Sequence, residues 1–428
     1  MDDDQEQPEP TAEPVTQSDT AQWKPSPFPR QPPPEEPVPV PAPRASRARR
    51  AGRVTRRIAV GLVSLIALGA SGYAYVTKDQ LQSNVPTTDA LTPRAGEPAP
   101  PPADDGADDI LLVGSDARTD AQGNVLPTRV LRELRTEANN GAVNTDTVIL
   151  LRVPKNGAKP SAVSVPRDTW TEIPGRGKAK INSAYGIAKA HYAQTLRAQG
   201  ERDQAKIERD SDTEGRRVLV QAVQDLTQVR VDHYAEVNLL GFYLLTEALG
   251  GVKVCLNHAT EDKDSGADFR RGEQTVSGGK ALSFVRQRKN LPRGDLDRIV
   301  RQQAFLSSAL HQVLSAGTLT SPGTLNNLVD VVHRSLTLDP GLDLLQFAQQ
   351  AKGLASGDLE FATIPVITAN GRSEDGQSIV EVDPNAVREF VAGLAGRATT
   401  PAGGGSGSGA APAAAPLLQA SPGVTCVN

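Results

Sequence analysis

The chain has 428 residues, 38% of them apolar, and a formal net charge of −4. That length exceeds one typical domain, and that charge excludes a broadly basic nucleic-acid binder. Two Cys and five His are scattered along the chain and carry none of the spacings of a zinc site.

Residues 1–43 are rich in Pro, Gln, Glu and Asp and poor in large apolar side chains, so burial would not offset their chain entropy. RASRARRAGRVTRR (44–57) adds seven Arg and no acid, which makes 1–57 a disordered tail with a basic end. IAVGLVSLIALGASGYAYV (58–76) follows, nineteen residues without a charge. A helix of that length crosses a hydrocarbon core, with Tyr73 and Tyr75 at the far interface. The Arg cluster stays cytoplasmic, and everything after Lys78 lies outside the cell membrane. A cleaved signal peptide and a buried core helix compete with this single-pass anchor. The leader is long for the first, and no amphipathic face supports the second.

Residues 77–103 then form an extracytoplasmic linker, 104–398 the globular body, and 399–428 a flexible Gly/Ser/Ala/Pro tail that ends near Cys426. An exterior domain can keep a disulfide, and the tail is long enough to reach back across the body. A Cys255–Cys426 bridge is expected; two unrelated thiols are the alternative.

Within the body, DILLVG (109–114), TVILLRV (147–153) and SAVSV (161–165) read as strands. Pro154-Lys155-Asn156-Gly157 supplies turn chemistry for a hairpin between the last two. Helical patterns cover 216–227, 239–249, 280–286 and 296–315, with two more near 342–355 and 384–395. GVKVCL (251–256) and LEFATIPV (359–366) are further strands. Strands interleaved with helices indicate an α/β protein layered on a mixed sheet. The segment from Arg118 to Asn144 reads as a polar, irregular surface excursion. Gln194–Gly215 reads as a charged helix or arm.

Polar clusters sit at the strand ends: GSDAR (114–118), NTDT (144–147) and PRD (166–168). Ligands of open α/β sheets settle there. With the second and third strands antiparallel, Asp146 and Arg167 become neighbours, and Asp116 can join them. The stretch SFVRQRKNLPRGDLDRIVRQQ (283–303) carries six cations and two acids. Projected as a helix, 295–313 has an apolar stripe of Ile299, Leu306, Leu310 and Val313. Asp295, Arg298 and Gln302 fall beside that stripe and face a crevice, whereas Asp297, Arg301 and Gln303 point elsewhere, Arg301 to the surface. Arg286 and Arg288 share a side only where the chain is extended or leaving a helix. Carboxylates of this kind hold Mg²⁺ through one or two oxygens, and guanidinium forks match phosphate oxygens. An internal salt-bridge network is the competing reading.

The motifs LLVGSDAR, NTDTVILLRV, SVPRDTWTEIPG with KINSAYG, DHYAEVNLLGF, LGGVKV and ALSFVRQR…DLDRIVRQQ occur in that order. Together they resemble the LytR–CpsA–Psr (LCP) family of bacterial cell-wall enzymes, of actinobacterial type, over Asp109 to Leu310. The resemblance implies an α/β/α sandwich with an apolar pocket for a prenyl chain. It implies a phosphotransferase that moves a glycopolymer from a polyprenyl-diphosphate carrier onto a peptidoglycan hydroxyl and releases polyprenyl phosphate. Asp116 and Asp146 would be the Mg²⁺ (or Mn²⁺) acids. Arg167, Lys180, Arg286, Arg288, Arg298 and Gln302 would hold the diphosphate, with Asp116, Asp146, Arg167 and Arg298 at the reacting centre. Asp295 would orient an arginine. No nucleotide or nucleic acid is implied. Asn144 stands where relatives often carry Ser or Arg. A polyprenyl-diphosphate hydrolase and a non-catalytic anchored binder of anionic lipid or polymer remain as alternatives.

Overall fold

The computed structural model describes residues 85–94, 96–102, 106–136, 143–156, 158–314, 322–343, 359–394, 418–419 and 424–428, all within one unit, Gly69–Asn428. The elements begin with β1 (Ala107–Ser115), α1 (Thr128–Glu133), β2 (Thr145–Pro154), β3 (Ser161–Ser164), β4 (Trp170–Ile173) and β5 (Gly177–Lys180). They continue with α2 (Ile181–Ala198), α3 (Gln204–Thr227), β6 (His233–Val237), α4 (Leu239–Ala248), β7 (Val252–Leu256), β8 (Thr260–Asp262), β9 (Ala267–Phe269) and β10 (Gly272–Val276). Next come α5 (Gly278–Arg286), α6 (Asp295–Leu314), α7 (Pro322–Ser335), β11 (Leu336–Leu338) and β12 (Glu360–Thr363). The last are β13 (Thr368–Arg372), β14 (Ser378–Glu381), α8 (Pro384–Leu394), β15 (Leu418–Gln419) and β16 (Cys426–Val427).

Among the described residues the main sheet has seven strands in the order β11-β6-β1-β2-β3-β12-β15. β1 runs parallel to β6 and β3 parallel to β12, while β2 is antiparallel to both β1 and β3. The sheet is therefore mixed, as the hairpin signal implies. Asn156 helps turn that hairpin, its Oδ1 accepting from the Ala158 N–H at 3.0 Å. The end of β1, the start of β2 and the end of β3 meet at one edge, which is where the polar clusters lie.

Both faces of the sheet are covered, so both side-chain parities of its strands are apolar. Leu111, Val113, Leu150 and Val163 pack against Tyr185 of α2, Leu219 and Val223 of α3, and Val387 of α8. On the other face Ile110, Ile149, Leu151 and Phe361 pack with Leu306 and Leu310 of α6. The α2–α3 approach requires a glycine: a Cβ on Gly215 would stand 2.7 Å from the Tyr185 carbonyl oxygen. A second sheet, β10-β7-β16, packs on Phe284 of α5 and Phe305 of α6. Burying a phenylalanine contributes about 1.5–3 kcal/mol, so α6 is clamped from two sides.

Several expectations need correction. Residues 118–136 are no surface excursion: Leu126, Leu131 and Leu134 are buried with Leu239 and Leu282 around α1. Of the two readings of Gln194–Gly215, helix holds and arm does not: the segment is the end of α2, a short turn at 199–203 and the first half of α3, with Ile207 and Ser211 buried. Helix α7 is not among the expected elements, although Pro322 at its start and the recurring Leu325, Leu328, Val331 and Val332 mark it in the sequence. The 1–57 tail, the 58–76 anchor and most of the 342–355 helix lie outside the described residues. No helix among the described residues is long and apolar enough to cross a membrane. The cysteines are joined as expected, Cys255 to Cys426 with Cα atoms 4.3 Å apart, on paired strands β7 and β16.

Edge strand β11 is tied to β6 by an ion pair. Asp339, just past β11, accepts from the Tyr234 N–H at 2.8 Å and meets His233 Nδ1 at 3.2 Å. The Asp339 hydrogen bond raises the His233 pKa above 6.5. Burial works to raise the Asp339 carboxyl, but His233 and the N–H groups of Tyr234 and Gly341 hold it below 3.8. The His contribution is thus full below pH 6.5 and lost as pH rises through the elevated folded value. The Asp contribution is lost only as pH falls below 3.8. Thermal unfolding between about pH 6 and pH 9 should show stability falling by about 1 kcal/mol or less. His233→Ala should flatten that dependence; an unchanged slope in the variant contradicts the assignment.

Candidate active site

Each chemical group reaches the sheet edge by a local rule. Asp116 follows a bulge at the end of β1, where register shifts between Gly114 and Ser115. Its Oδ1 accepts the Asn144 N–H at 2.6 Å, and its own N–H donates to the Asn144 carbonyl at 3.0 Å. Asn144 thus clamps the acid through its backbone, and its side chain adds a hydrogen bond to the same carboxyl. Ser115 Oγ donates to Glu236 at 2.7 Å, and Glu236 also takes Arg216 at 2.7 Å and Tyr234 at 2.9 Å. That buried network fixes the strand end from below.

Asp146 opens β2 and is bridged by Arg167, which follows β3. Asp168 binds outward in three directions: Lys180 at 3.3 Å, Arg288 at 3.6 Å and Arg167 at 3.7 Å. Helix α6 begins at the same place. Asp295 in its first turn meets Arg298 at 2.8 Å and Arg288 at 3.4 Å. Arg298 is only 2% exposed. Arg286, in the last turn of α5, donates to the Leu134 carbonyl at 3.0 Å and feels both Asp146 and Asp116. Arg286 and Arg288 do share a side. Gln287 between them leaves the helix with ψ 131°, the extended geometry that the i, i+2 spacing requires.

The electrostatics are lopsided. Arg118, Arg167, Lys180, Arg286, Arg288 and Arg298 face Asp116, Asp146, Asp168 and Asp295, an excess of two positive charges. Burial pushes the Arg298 and Arg286 pKa values down, against the pull of Asp295 and Asp146 on the first and of Asp146 and Asp116 on the second. Burial also pushes the Asp116 carboxyl up, helped by the charge of Asp146 and opposed by the Asn144 N–H. Buried Arg167 Nε, Arg298 Nε and Arg298 Nη2, and the Asp295 oxygens beside them, have ionic neighbours but no well-directed hydrogen bond among the described residues. Directional donors without acceptors, in a crevice with surplus positive charge, suit the oxygens of an anion.

Asp116 and Asp146 form the pair that a divalent cation could use. No group of three or more His, Cys, Asp or Glu with metal-ligand geometry occurs among the described residues. Mg²⁺ often takes only one or two carboxylates, with water and phosphate completing the shell. The Asp116 carboxyl is raised chiefly by burial and further by the charge of Asp146, and a cation between the two acids would favour their ionised forms. The residues therefore fit a hard cation.

The expected site residues converge, with two qualifications. Gln302 donates to the Val285 carbonyl at 3.2 Å, so its amide nitrogen ties α6 to α5. Arg301 is not on the surface. It is 0% exposed, donates to Gln287 Oε1 at 2.6 Å and to the Asn428 backbone oxygen, and stacks 5.2 Å over Phe284. Asp297 and Gln303 are buried as well. The projection assumed one covered face; the β10-β7-β16 sheet covers the opposite one. Asp168 and Arg118 join the site unforeseen, although both stand inside the PRD and GSDAR motifs. A cavity of about 380 Å³ lies at the same edge but on the α3 side, lined by Arg209, Asp212, Arg216, Glu236 and Asn238 among others. None of the guanidiniums facing Asp146 lines it.

The LytR_cpsA_psr family matches residues 71–395. The cell wall biosynthesis protein LcpA of Corynebacterium glutamicum is 46% identical over 82% of this chain and 67% of its own length. The polyisoprenyl-teichoic acid–peptidoglycan teichoic acid transferase TagU of Oceanobacillus iheyensis is 33% identical over 47% of this chain and 55% of its own length. The crystal structure of TagV of B. subtilis overlays with a TM-score of 0.48 at 20% identity, covering 69% of this chain and 100% of that one.

Removing the Arg301 side chain strands the Gln287 oxygen and the Asn428 carbonyl in the interior. Arg301→Ala should lower unfolding free energy by about 2–4 kcal/mol. A loss below about 0.5 kcal/mol in urea unfolding, the size of an ordinary surface change, would contradict its buried role.

Proposed function

Because the chain belongs to the LytR–CpsA–Psr family, we propose that it transfers a glycopolymer, as a glycosyl phosphate, from a polyprenyl-diphosphate carrier to a peptidoglycan hydroxyl. One observation carries this reading: the site has a surplus of two positive charges beside a carboxylate pair. A diphosphate diester carries two negative charges and neutralises that surplus. A plain anion binder has no use for Asp116 and Asp146 among the cations. The names of LcpA and TagU place relatives in wall assembly and in teichoic acid transfer, which supports the same chemistry here.

In the proposed reaction a sugar hydroxyl oxygen attacks the phosphorus nearest the glycopolymer. The bond from that phosphorus to the bridging oxygen breaks, and polyprenyl phosphate leaves with the electron pair. Arg298, held by Asp295, and Arg167, held by Asp146 and Asp168, grip the non-bridging oxygens. Lys180 and Arg288 guard the outer side through Asp168. Asp116, at the same strand end as Asp146, is the candidate acceptor of the hydroxyl proton. Asp116 and Asp146 would hold Mg²⁺ or Mn²⁺, which when bound neutralises charge on the diphosphate. Positioning and preorganised charge do the rest, and no nucleotide is required. In this reading the 58–76 segment anchors the protein in the cytoplasmic membrane with its N-terminus inside. The catalytic body lies outside, where the Cys255–Cys426 bridge survives.

Purified chain, a polyprenyl-diphosphate-linked oligosaccharide and peptidoglycan should yield saccharide joined to peptidoglycan through a phosphodiester, seen by mass spectrometry. Arg298→Ala should reduce that product by about 10²–10³-fold with an unchanged circular dichroism spectrum. Free saccharide phosphate as the sole product would replace transfer by hydrolysis. Full activity in Arg298→Ala would remove the site from the reaction.

A further inference from the structure

The two outward arginines of VRQR are separated by a residue that is completely buried. Gln287 is 0% exposed, and its amide is fully engaged. Its Oε1 accepts from Arg301 Nη1 at 2.6 Å. Its Nε2 donates to Thr260 Oγ1 at 2.5 Å and to the Lys289 carbonyl at 3.0 Å. The chain turns here from helix to extended backbone, and that turn aims Arg286 and Arg288 at the site.

Arg301 in turn is held by the far end of the described chain. Its Nε donates to the Asn428 carbonyl, and its guanidinium lies over Phe284. Strand β16 is only two residues long and pairs with β7 beside the Cys255–Cys426 bond. The Asn257 N–H donates to the Val427 carbonyl at 2.8 Å, and Asn257 Nδ2 to Asn428 Oδ1 at 3.2 Å. Two residues of ladder hold weakly alone; the covalent bond keeps the strap in place.

A guanidinium this deep has a poor balance. Asp297 pulls on Arg301 by charge, but that carboxylate is taken by Arg293 at 2.8 Å and 2.7 Å and by the Arg293 N–H at 2.9 Å. Oxygens of Asn428 and Gln287 do the rest of its solvation. Loss of either forces a buried cation to seek water, and the shortest way out moves Gln287.

We propose that Asn428, Arg301 and Gln287 form a positioning relay through which the disulfide-pinned C-terminal strap sets the placement of Arg286 and Arg288 for diphosphate binding. This rests on the reading of the site as a diphosphate cradle. Arg301 and Gln287 touch no substrate in this account; they act through their neighbours. The relay links the redox state of Cys255 and Cys426 to the phosphate grip, so reduction weakens binding before it unfolds the chain.

Inorganic pyrophosphate, titrated calorimetrically into the full chain well below its unfolding temperature, reads the grip directly. Gln287→Met keeps the volume and removes the hydrogen bonds; it should weaken pyrophosphate binding about tenfold, the scale of one charge-assisted hydrogen bond. Cys426→Ser should weaken it in the same direction, and dithiothreitol should do so for the unaltered chain but not further for Cys426→Ser. Arg298→Ala, which removes a direct contact, should abolish binding. Unaltered affinity in folded Gln287→Met and Cys426→Ser, with Arg298→Ala inactive in binding, would overturn the relay and keep the cradle. No binding by the unaltered chain, or full binding by Arg298→Ala, would overturn the cradle and the relay with it.

Discussion

Arg298 is a guanidinium almost wholly removed from water, with Asp295 at 2.8 Å as its nearest acid. Burying an ion costs several kcal/mol, and one carboxylate shared with Arg288 does not return all of it. Such an arrangement persists where the missing charge arrives with a ligand. The site around it follows from that need. Arg167 shares Asp146 with Arg286 and Asp168 with Lys180 and Arg288, so no cation there has a partner to itself. An internal salt-bridge network would instead match its charges and close its hydrogen bonds.

The scaffold explains how groups from five segments meet. An antiparallel β2 between β1 and β3 brings Asp116, Asp146 and Arg167 to one edge. Helix α6 is wedged between the main sheet, through Leu306 and Gln303, and the small sheet, through Phe305 and Arg301. Gln303 fastens it from one side, donating to Ser164 Oγ at 2.9 Å next to the strand end that carries Arg167. A helix fixed on both flanks presents Asp295 and Arg298 with little freedom, and preorganisation of that kind is what phosphoryl transfer asks of a protein.

Most of this was legible as pattern. Strands β1 and β2 carry the apolar runs Ile110–Val113 and Val148–Leu151, and a turn rich in Pro, Asn and Gly announces the hairpin to β3. The edge where their ends meet follows from antiparallel pairing alone. The i, i+3, i+7 spacing of Asp295, Arg298 and Gln302 placed those residues on one side of a helix, and that side does face the site. What pattern could not show was a second covering layer. Arg301 read as surface because a charged group usually is, whereas β7, β10 and β16 bury it; Asp297 and Gln303 read only as pointing away from the site, and Gln303 lies against the main sheet at Ser164. β16 is too short to carry a periodic signal, and its placement depends on a bond to a residue 171 positions away. The buried leucines of α1 were masked in the sequence by the polar residues around them.

On the proposed function, these guanidiniums and carboxylates serve one P–O–P group. A crystal structure of the protein with a short-chain polyprenyl diphosphate and Mg²⁺ tests this. The diphosphate should lie within hydrogen-bond reach of Arg167, Arg286 and Arg298, with Asp116 or Asp146 on the metal. A diphosphate bound elsewhere, for instance in the cavity beside Arg216 and Glu236, with Arg298 still resting on Asp295 alone, would contradict it.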